Sequence, residues 1–238
     1  MNNEASLSGR VIIVTGGTGR LGQAVAQLLL QRGALVVMTY TKASELKRLE
    51  KALPAEEREH LTAYQVDVTN EKAVTDCIAE VMKKFKQIDG LANLVGGWDS
   101  TPVVDLTVEA WNKQLALNLT GTFLMSRAVL PHMIAAKYGR ILGVGAQSAI
   151  QAAKNQAHYN VSKVGVMWLM ETISNEVQQH GVTANAILPS AIKTPAEHEK
   201  DPGGAWAMPE EIAELVAYLM SPESGATSGA RIPAYGKI

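Results

Sequence analysis

A single cysteine, Cys77, occurs in the 238 residues. No internal disulfide can form, and neither a cysteine zinc cluster nor an iron–sulfur site can be assembled, so no metal is expected. A reducing compartment, the cytoplasm, is the expected setting. Net charge is nearly absent: 22 basic against 23 acidic residues leave −1, which provides no long-range field to gather nucleic acid or an anionic membrane. No apolar run approaches the roughly 20 residues that span a bilayer. Residues 1–10 also lack the apolar core of a secretory signal. Aromatic side chains are scarce at 5 %, whereas apolar residues make up 47 %, a balance that describes a core of small, closely packed side chains rather than a disordered chain. No Pro/Ser-rich linker or long repeat divides the sequence, so one domain covering 1–238 is expected.

What is present alternates. Runs of Val, Ile and Leu predict strands over 10–15, 34–39, 62–66, 90–95, 140–144, 183–188 and 230–233. Helical periodicity predicts helices over 21–32, 44–53, 71–86, 111–136, 158–180 and 209–220. Such alternation implies parallel strands joined by crossover helices, a three-layer, doubly wound α/β fold of Rossmann type. The stretch 196–208, containing Lys200-Asp201-Pro202-Gly203-Gly204, interrupts the rhythm with turn formers. It reads as a mobile loop after the sixth strand, either a lid over a ligand crevice or a solvated connector.

The first predicted strand runs into TGGTGRLG over 15–22, which opens an amphipathic helix. A glycine-rich strand-to-helix turn lets backbone N–H groups and the positive end of the helix dipole face a pyrophosphate, although such turns also arise for steric reasons alone. Four further motifs follow in order: VDVT over 66–69, NLTGTF over 118–123, YNVSK over 159–163 and ILPSAIKTP over 187–195. Together the five resemble the short-chain dehydrogenase/reductase family from about residue 7 to the C-terminus. The resemblance implies NAD(P) binding. Gly16, Thr18, Arg20, Leu21 and Gly22 would lie at the pyrophosphate turn, Asp67 and Val68 at the adenine, Asn93 and Gly96 in the supporting loop, and Pro189, Ile192 and Thr194 around the nicotinamide. Arg20 stands where the family has its middle glycine, and the family's NNAG segment is altered to Asn93-Leu94-Val95-Gly96.

Cofactor choice rests on the end of the second strand, where NAD-preferring relatives place an acid to bind the ribose 2′-hydroxyl. Here Tyr40, Thr41 and Lys42 stand in its place, with no acid. Thr41, Lys42, Ser44 and Arg20 suit a 2′-phosphate, so NADP(H) is expected over NAD(H), while Lys42 and Arg20 also read individually as solvated surface charge.

Tyr159 and Lys163 are four residues apart on a predicted helix and rise from one face, one turn apart. A neighbouring ammonium favours phenolate and is expected to lower the tyrosine pKa from about 10 by roughly 1 to 3. The resemblance makes Tyr159 the proton-transfer residue and Lys163 its electrostatic partner and ribose anchor. It makes Asn118 the holder of a water linking Lys163 to solvent, where a side chain satisfied by backbone is the other reading. His158 points about 100° around the helix from Tyr159 and reads as structural.

The family's catalytic serine is missing. Counting from both Gly139 and Tyr159 places Ala146 in its position. Ser148, two residues on, would be about 6 to 7 Å away in an extended segment, too far to substitute unless the loop is remodelled. Gly145-Ala146, Gly96-Gly97-Trp98, Leu188-Pro189, Thr194-Pro195 and the later Trp206 are similar to the dihydropteridine reductase branch, which, however, carries an acid after its second strand and uses NADH. Trp98, Ala146, Gln147, Ser148 and Trp206 are the candidate substrate contacts, Trp98 either stacking on a flat heterocycle or simply packing. The reading is an NADP(H)-dependent oxidoreductase acting on a small cyclic or conjugated substrate, expected by resemblance to be a homodimer or homotetramer through its two long central helices. Quinonoid dihydropteridine reductase and a catalytically silent dinucleotide-binding sensor or scaffold are the alternatives.

Overall fold

The computed structural model describes residues 7–193, 195–200 and 206–236. Seven parallel strands form the central sheet in the order β3-β2-β1-β4-β5-β6-β9. They are β1 (Val11–Thr15), β2 (Leu35–Tyr40), β3 (Leu61–Gln65), β4 (Gly90–Asn93), β5 (Gly139–Val144), β6 (Val182–Pro189) and β9 (Arg231–Ala234). All seven predicted strands are present, and the doubly wound α/β expectation holds. β1 shows why its apolar run is continuous rather than alternating. Val11 and Ile13 pack into one core layer and Ile12 and Val14 into the other, because a parallel sheet is covered on both faces.

Helices α1 (Arg20–Gln31) and α9 (Pro209–Met220) cover one face. The opposite face is covered by α4 (Glu71–Phe85), α6 (Gly121–Ala136) and α7 (Ala157–Val177). The short α2 (Ala43–Ala52) and α3 (Ala55–Glu59) connect β2 to β3, and α3 was not predicted. Neither does the predicted helix over 111–136 begin at 111: α5 (Val108–Leu115) starts earlier because the Thr107 hydroxyl oxygen accepts from Ala110 N–H and caps it. A π-helical turn, Ala116–Thr120, then joins α5 to α6.

The stretch expected as an irregular loop over 196–208 is regular at both described ends. A helix, α8 (Pro195–Lys200), is followed by β8 (Trp206–Ala207), which pairs in parallel with β7 (Ala191–Ile192). Burial explains the second element, since Trp206 and Ala207 are both buried and Ala207 joins the α1–α9 core layer. Residues 201–205 and Thr194 lie outside the described residues. No helix among the described residues is long and apolar enough to cross a membrane.

Connections leave the sheet in opposite directions from β1 and β4, whose last residues, Thr15 and Asn93, are register partners. Such a switch point opens a crevice beyond the carboxyl ends of the strands, where doubly wound sheets bind ligands.

Candidate active site

The crevice holds a cavity of about 670 Å³. Leu21, which follows the glycine-rich turn between β1 and α1, is among its lining residues. Gly16 has φ +64°, and a methyl group on Gly22 would fall 2.3 Å from the Gly16 carbonyl oxygen and 2.7 Å from Gly17 Cα. Only a bare backbone passes here. β2 pins the turn: the Thr39 hydroxyl oxygen accepts from Gly16 N–H (3.2 Å) and its carbonyl from Gly17 N–H (3.0 Å). Gly19, the N-cap of α1, offers no side chain to satisfy the helix's first N–H groups. Those groups, together with the helix dipole, suit the pyrophosphate of a dinucleotide. The turn thus fits the implied cofactor, with Leu21 and Ile192 lining the cavity from its two sides.

After β4 the chain leaves the sheet two residues earlier than predicted, and Leu94 and Val95 N–H groups are taken by the Thr15 hydroxyl oxygen (2.9 and 3.2 Å). Asn93, almost fully buried, donates to Leu142 O and Ser126 Oγ and so ties β4 to β5 and α6. Asn118, on the π-helical turn, then grips the next loop. Its Oδ1 accepts from Gly97 N–H (2.8 Å) and its Nδ2 donates to Gly97 O (3.1 Å) and Ser162 Oγ (2.9 Å). Gln114 donates to the same Gly97 carbonyl. A methyl group on Gly96 would lie 3.1 Å from both Asn118 Oδ1 and Lys163 Nζ. Gly96 is therefore the spacer that lets these two side chains face the same point.

Tyr159 and Lys163 both line the cavity from α7, one turn apart as predicted. Lys163 Nζ is buried, donates to Val144 O (2.9 Å) and sits 5.8 Å from the centre of the Tyr159 ring. Burial pulls its ammonium down to about 8. Against the expectation of a lowered tyrosine pKa, burial pushes the Tyr159 phenol up to about 12. Desolvation by the surrounding walls is the cause, since it disfavours the charged phenolate.

Ala146 is buried at the cavity wall, in the position predicted for the absent hydroxyl. The segment beyond it is not extended: Gln147–Ala149 forms a 3-10 turn, and Gln147 and Ser148 line the same cavity as Ala146 and Tyr159. The extended-chain argument that set Ser148 aside therefore does not apply. Gly145 precedes Ala146 for a packing reason, since a methyl group there would meet Leu188 Cδ2 at 2.5 Å. Trp98, 64 % exposed, lines the mouth and is not core packing. Pro189 lines the opposite wall. Trp206, by contrast, is buried in β8 and is not among the residues lining the cavity, although its β7 partner Ala191 is.

Other residues expected to contact the cofactor have partners within the protein. Asp67 accepts from Thr69 N–H and Oγ1, closing its own turn, and Val68 packs where a side chain on Gly121 would strike it. Arg20 pairs with Glu197 of α8 (2.6 Å) and donates to Ile192 O. Lys42 pairs with Glu45 (3.3 Å), to which the Thr18 hydroxyl also donates (3.0 Å). Thr41 and Tyr40 lie at the exposed end of β2, where the Thr41 carbonyl accepts from Gln65. His158 is completely buried, with Nε2 3.5 Å from Asp99 Oδ2, and does not line the cavity, consistent with its structural reading.

Sequence reasoning missed Gln114, Ser162 and Glu45. Gln114 precedes Asn118 by four residues, a helical spacing that puts both on one face, and Glu45 follows Lys42 by three. Ser162 carries no comparable signal, for its partner Asn118 lies 44 residues away.

Residues 10–204 match the model of the short chain dehydrogenase family. The chain is 31 % identical to the 3-oxoacyl-[acyl-carrier-protein] reductase FabG of Vibrio cholerae, over 94 % of this chain and 95 % of that one. It is 29 % identical to the 2,3-dihydroxy-2,3-dihydro-p-cumate dehydrogenase of Pseudomonas putida, over 98 % and 96 % of the two chains. A crystal structure from Agrobacterium tumefaciens, assigned provisionally as a gluconate dehydrogenase, superposes with a TM-score of 0.89 at 27 % identity, covering 97 % of this chain and 96 % of that one. The chain belongs to the short-chain dehydrogenase/reductase family. It is accordingly an NAD(P)-dependent oxidoreductase. These relatives do not bring out the dihydropteridine reductase branch to which several of its motifs are similar.

Proposed function

We propose that this protein is an NADP(H)-dependent reductase of a small, cyclic or conjugated substrate, with Tyr159 as proton donor. The observation that carries this reading is the placement of Tyr159, its proton held by burial, in one largely apolar cavity with Trp98, Ala146 and Ser148. A phenol is protonated at neutral pH and can give its proton to an oxygen that gains charge, the role a proton donor plays in the reductive direction.

When bound, the dinucleotide supplies the hydride. The chain provides the rest. The glycine-rich turn receives the pyrophosphate, while Gln114 and Asn118 hold the loop carrying Gly97 and Trp98 against the site. Lys163, still mostly protonated at pH 7 with its pKa near 8, supplies positive charge beside the phenol and, swung off Val144 O, a donor for the ribose. Asn118 Oδ1 has a second lone pair beyond its Gly97 bond and takes the relay water of this reading.

NADP(H) is preferred because Tyr40, Thr41 and Lys42 place no carboxylate at the end of β2, where one would repel a 2′-phosphate. A ring-shaped substrate is supported by the exposed Trp98 face and by the name of the Pseudomonas putida relative. The silent-scaffold alternative has no observation in its favour. Assembly through α6 and α7 fits the exposure of Phe123, Val161 and Trp168 on those helices, so a homodimer or homotetramer belongs to the same reading.

A substrate screen followed by NADPH absorbance tests the proposal, with aliphatic ketones, conjugated cyclic ketones and quinones compared side by side. Turnover of conjugated cyclic acceptors is expected. Turnover confined to aliphatic ketones would refute the substrate class.

A further inference from the structure

The end of β2 is free of acids in sequence, yet an acid reaches the site in space. Glu45, in the first turn of α2, is folded back so that one carboxylate oxygen takes the Thr18 hydroxyl of the glycine-rich turn (3.0 Å) and the other faces Lys42 Nζ (3.3 Å). We propose that Glu45 sets the ratio of NADPH to NADH affinity by competing with a 2′-phosphate for Thr18 and Lys42. This inference rests on the NADP(H) reading above and refines it.

Lys42 is one of the groups expected at a 2′-phosphate, and Glu45 brings the Thr18 hydroxyl of the glycine-rich turn to the same place. Thr18 is nearly buried, so its single hydroxyl proton has few alternative acceptors, and that proton already goes to Glu45. Lys42 is exposed, so no packing holds it to one anion. The bonds from Thr18 and Lys42 hold the Glu45 carboxyl below the usual carboxylate range, so it is charged at neutral pH. Arg20, the other cation expected at the phosphate, is likewise committed to an acid, Glu197.

The two dinucleotides meet this arrangement differently. A phosphate monoester carries about 1.5 to 2 negative charges at pH 7 and must push the carboxylate aside before it can take Thr18 and Lys42. A ribose 2′-hydroxyl is neutral and donates to the carboxylate where it stands, in a charge-assisted hydrogen bond. Glu45 therefore works against NADPH and for NADH, and it leaves the wild-type protein with a moderate preference where the bare β2 terminus would give a steep one.

The test is Glu45→Gln, which keeps the side chain's size and an acceptor for Thr18 but removes the charge. Dissociation constants for NADPH and NADH are measured without substrate, by the fluorescence of the bound reduced nicotinamide, for both proteins. The ratio of Kd for NADH to Kd for NADPH is expected to rise about tenfold in Glu45→Gln, equivalent to about 1.4 kcal/mol. The gain should shrink as salt is raised from 50 mM to 500 mM, since the opposing charge is screened. A ratio within twofold of the wild-type value overturns the role of Glu45. If wild type binds NADH more tightly than NADPH, the NADP(H) reading falls, whereas a tenfold rise in Glu45→Gln still upholds the competition. If wild type prefers NADPH and Glu45→Gln leaves the ratio unchanged, the reading stands and the inference alone fails.

Discussion

Lys163 Nζ donates to the carbonyl oxygen of Val144 at 2.9 Å, joining α7 to the last residue of β5. The bond gives the buried ammonium a carbonyl partner, with the Tyr159 ring centre 5.8 Å away. Burial governs both groups, raising the phenol four residues earlier on the same helix and lowering the ammonium. A cation so placed is a functional expense to the fold, and the expense depends on pH.

Lys163→Met should therefore stabilise the cofactor-free protein. Burial lowers the folded-state pKa of Lys163 from 10.5 to about 8, so between those values the unfolded chain binds a proton that the native state does not, and wild-type stability rises with pH across that window. Below pH 8 both states are protonated and the penalty is fully felt. The displacement corresponds to roughly 3 kcal/mol, less the lost bond to Val144. Urea denaturation at pH 7 and pH 10 checks this. The variant's advantage should be larger at pH 7, and an advantage that grows with pH would contradict the assignment.

Tyr159→Phe removes only the hydroxyl. Turnover is expected to fall by about 10² to 10⁴, the usual contribution of a positioned proton donor, while NADPH binding changes by less than about threefold. Single-turnover kinetics and a fluorescence titration separate the two quantities. Undiminished turnover would mean that the proton has another source.

Gly22→Ala tests the pyrophosphate turn. The added methyl group would lie 2.3 Å from Gly16 O, a backbone atom with no rotamer to yield. The turn must shift, at a cost of about 1 to 3 kcal/mol. The melting temperature should drop by several degrees and NADPH affinity at least tenfold. Retained affinity in a destabilised variant would place the cofactor elsewhere.

Ala146 and Ser148 are tested together, because both line the cavity. Losing one hydrogen-bond donor to a developing oxyanion costs about 10² to 10³ in rate. A conjugated acceptor spreads the incoming charge into its own ring and needs that donor less. Ala146→Ser should consequently raise the turnover of simple ketones more than that of conjugated acceptors, and Ser148→Ala should leave conjugated acceptors nearly unaffected. A collapse of all turnover in Ser148→Ala would show that the 3-10 turn at Gln147–Ala149 delivers Ser148 as the replacement hydroxyl.

The seven strands and the position of Tyr159 beside Lys163 were determined by the sequence itself. Both follow from short-range rules: apolar runs such as 11–15 bury on two faces, and residues four apart share a helix face. The same holds for Ala146, whose place is set by counting along one strand and its loop. Tertiary structure alone decided the rest. Glu45 belongs to the helix after β2, but its carboxylate meets Thr18, 27 residues earlier, only because β2 lies against β1 and brings the two turns together. Asn118 reaches Gly97 through a π-helical turn that no periodicity announces. The direction of the Tyr159 pKa depends on how much water the assembled walls remove, and that is a property of side chains drawn from β5, α7 and the loop after β4 at once. A linear pattern encodes which groups are present and which face they share; the solvent and the charges they meet are fixed only when distant segments close over them.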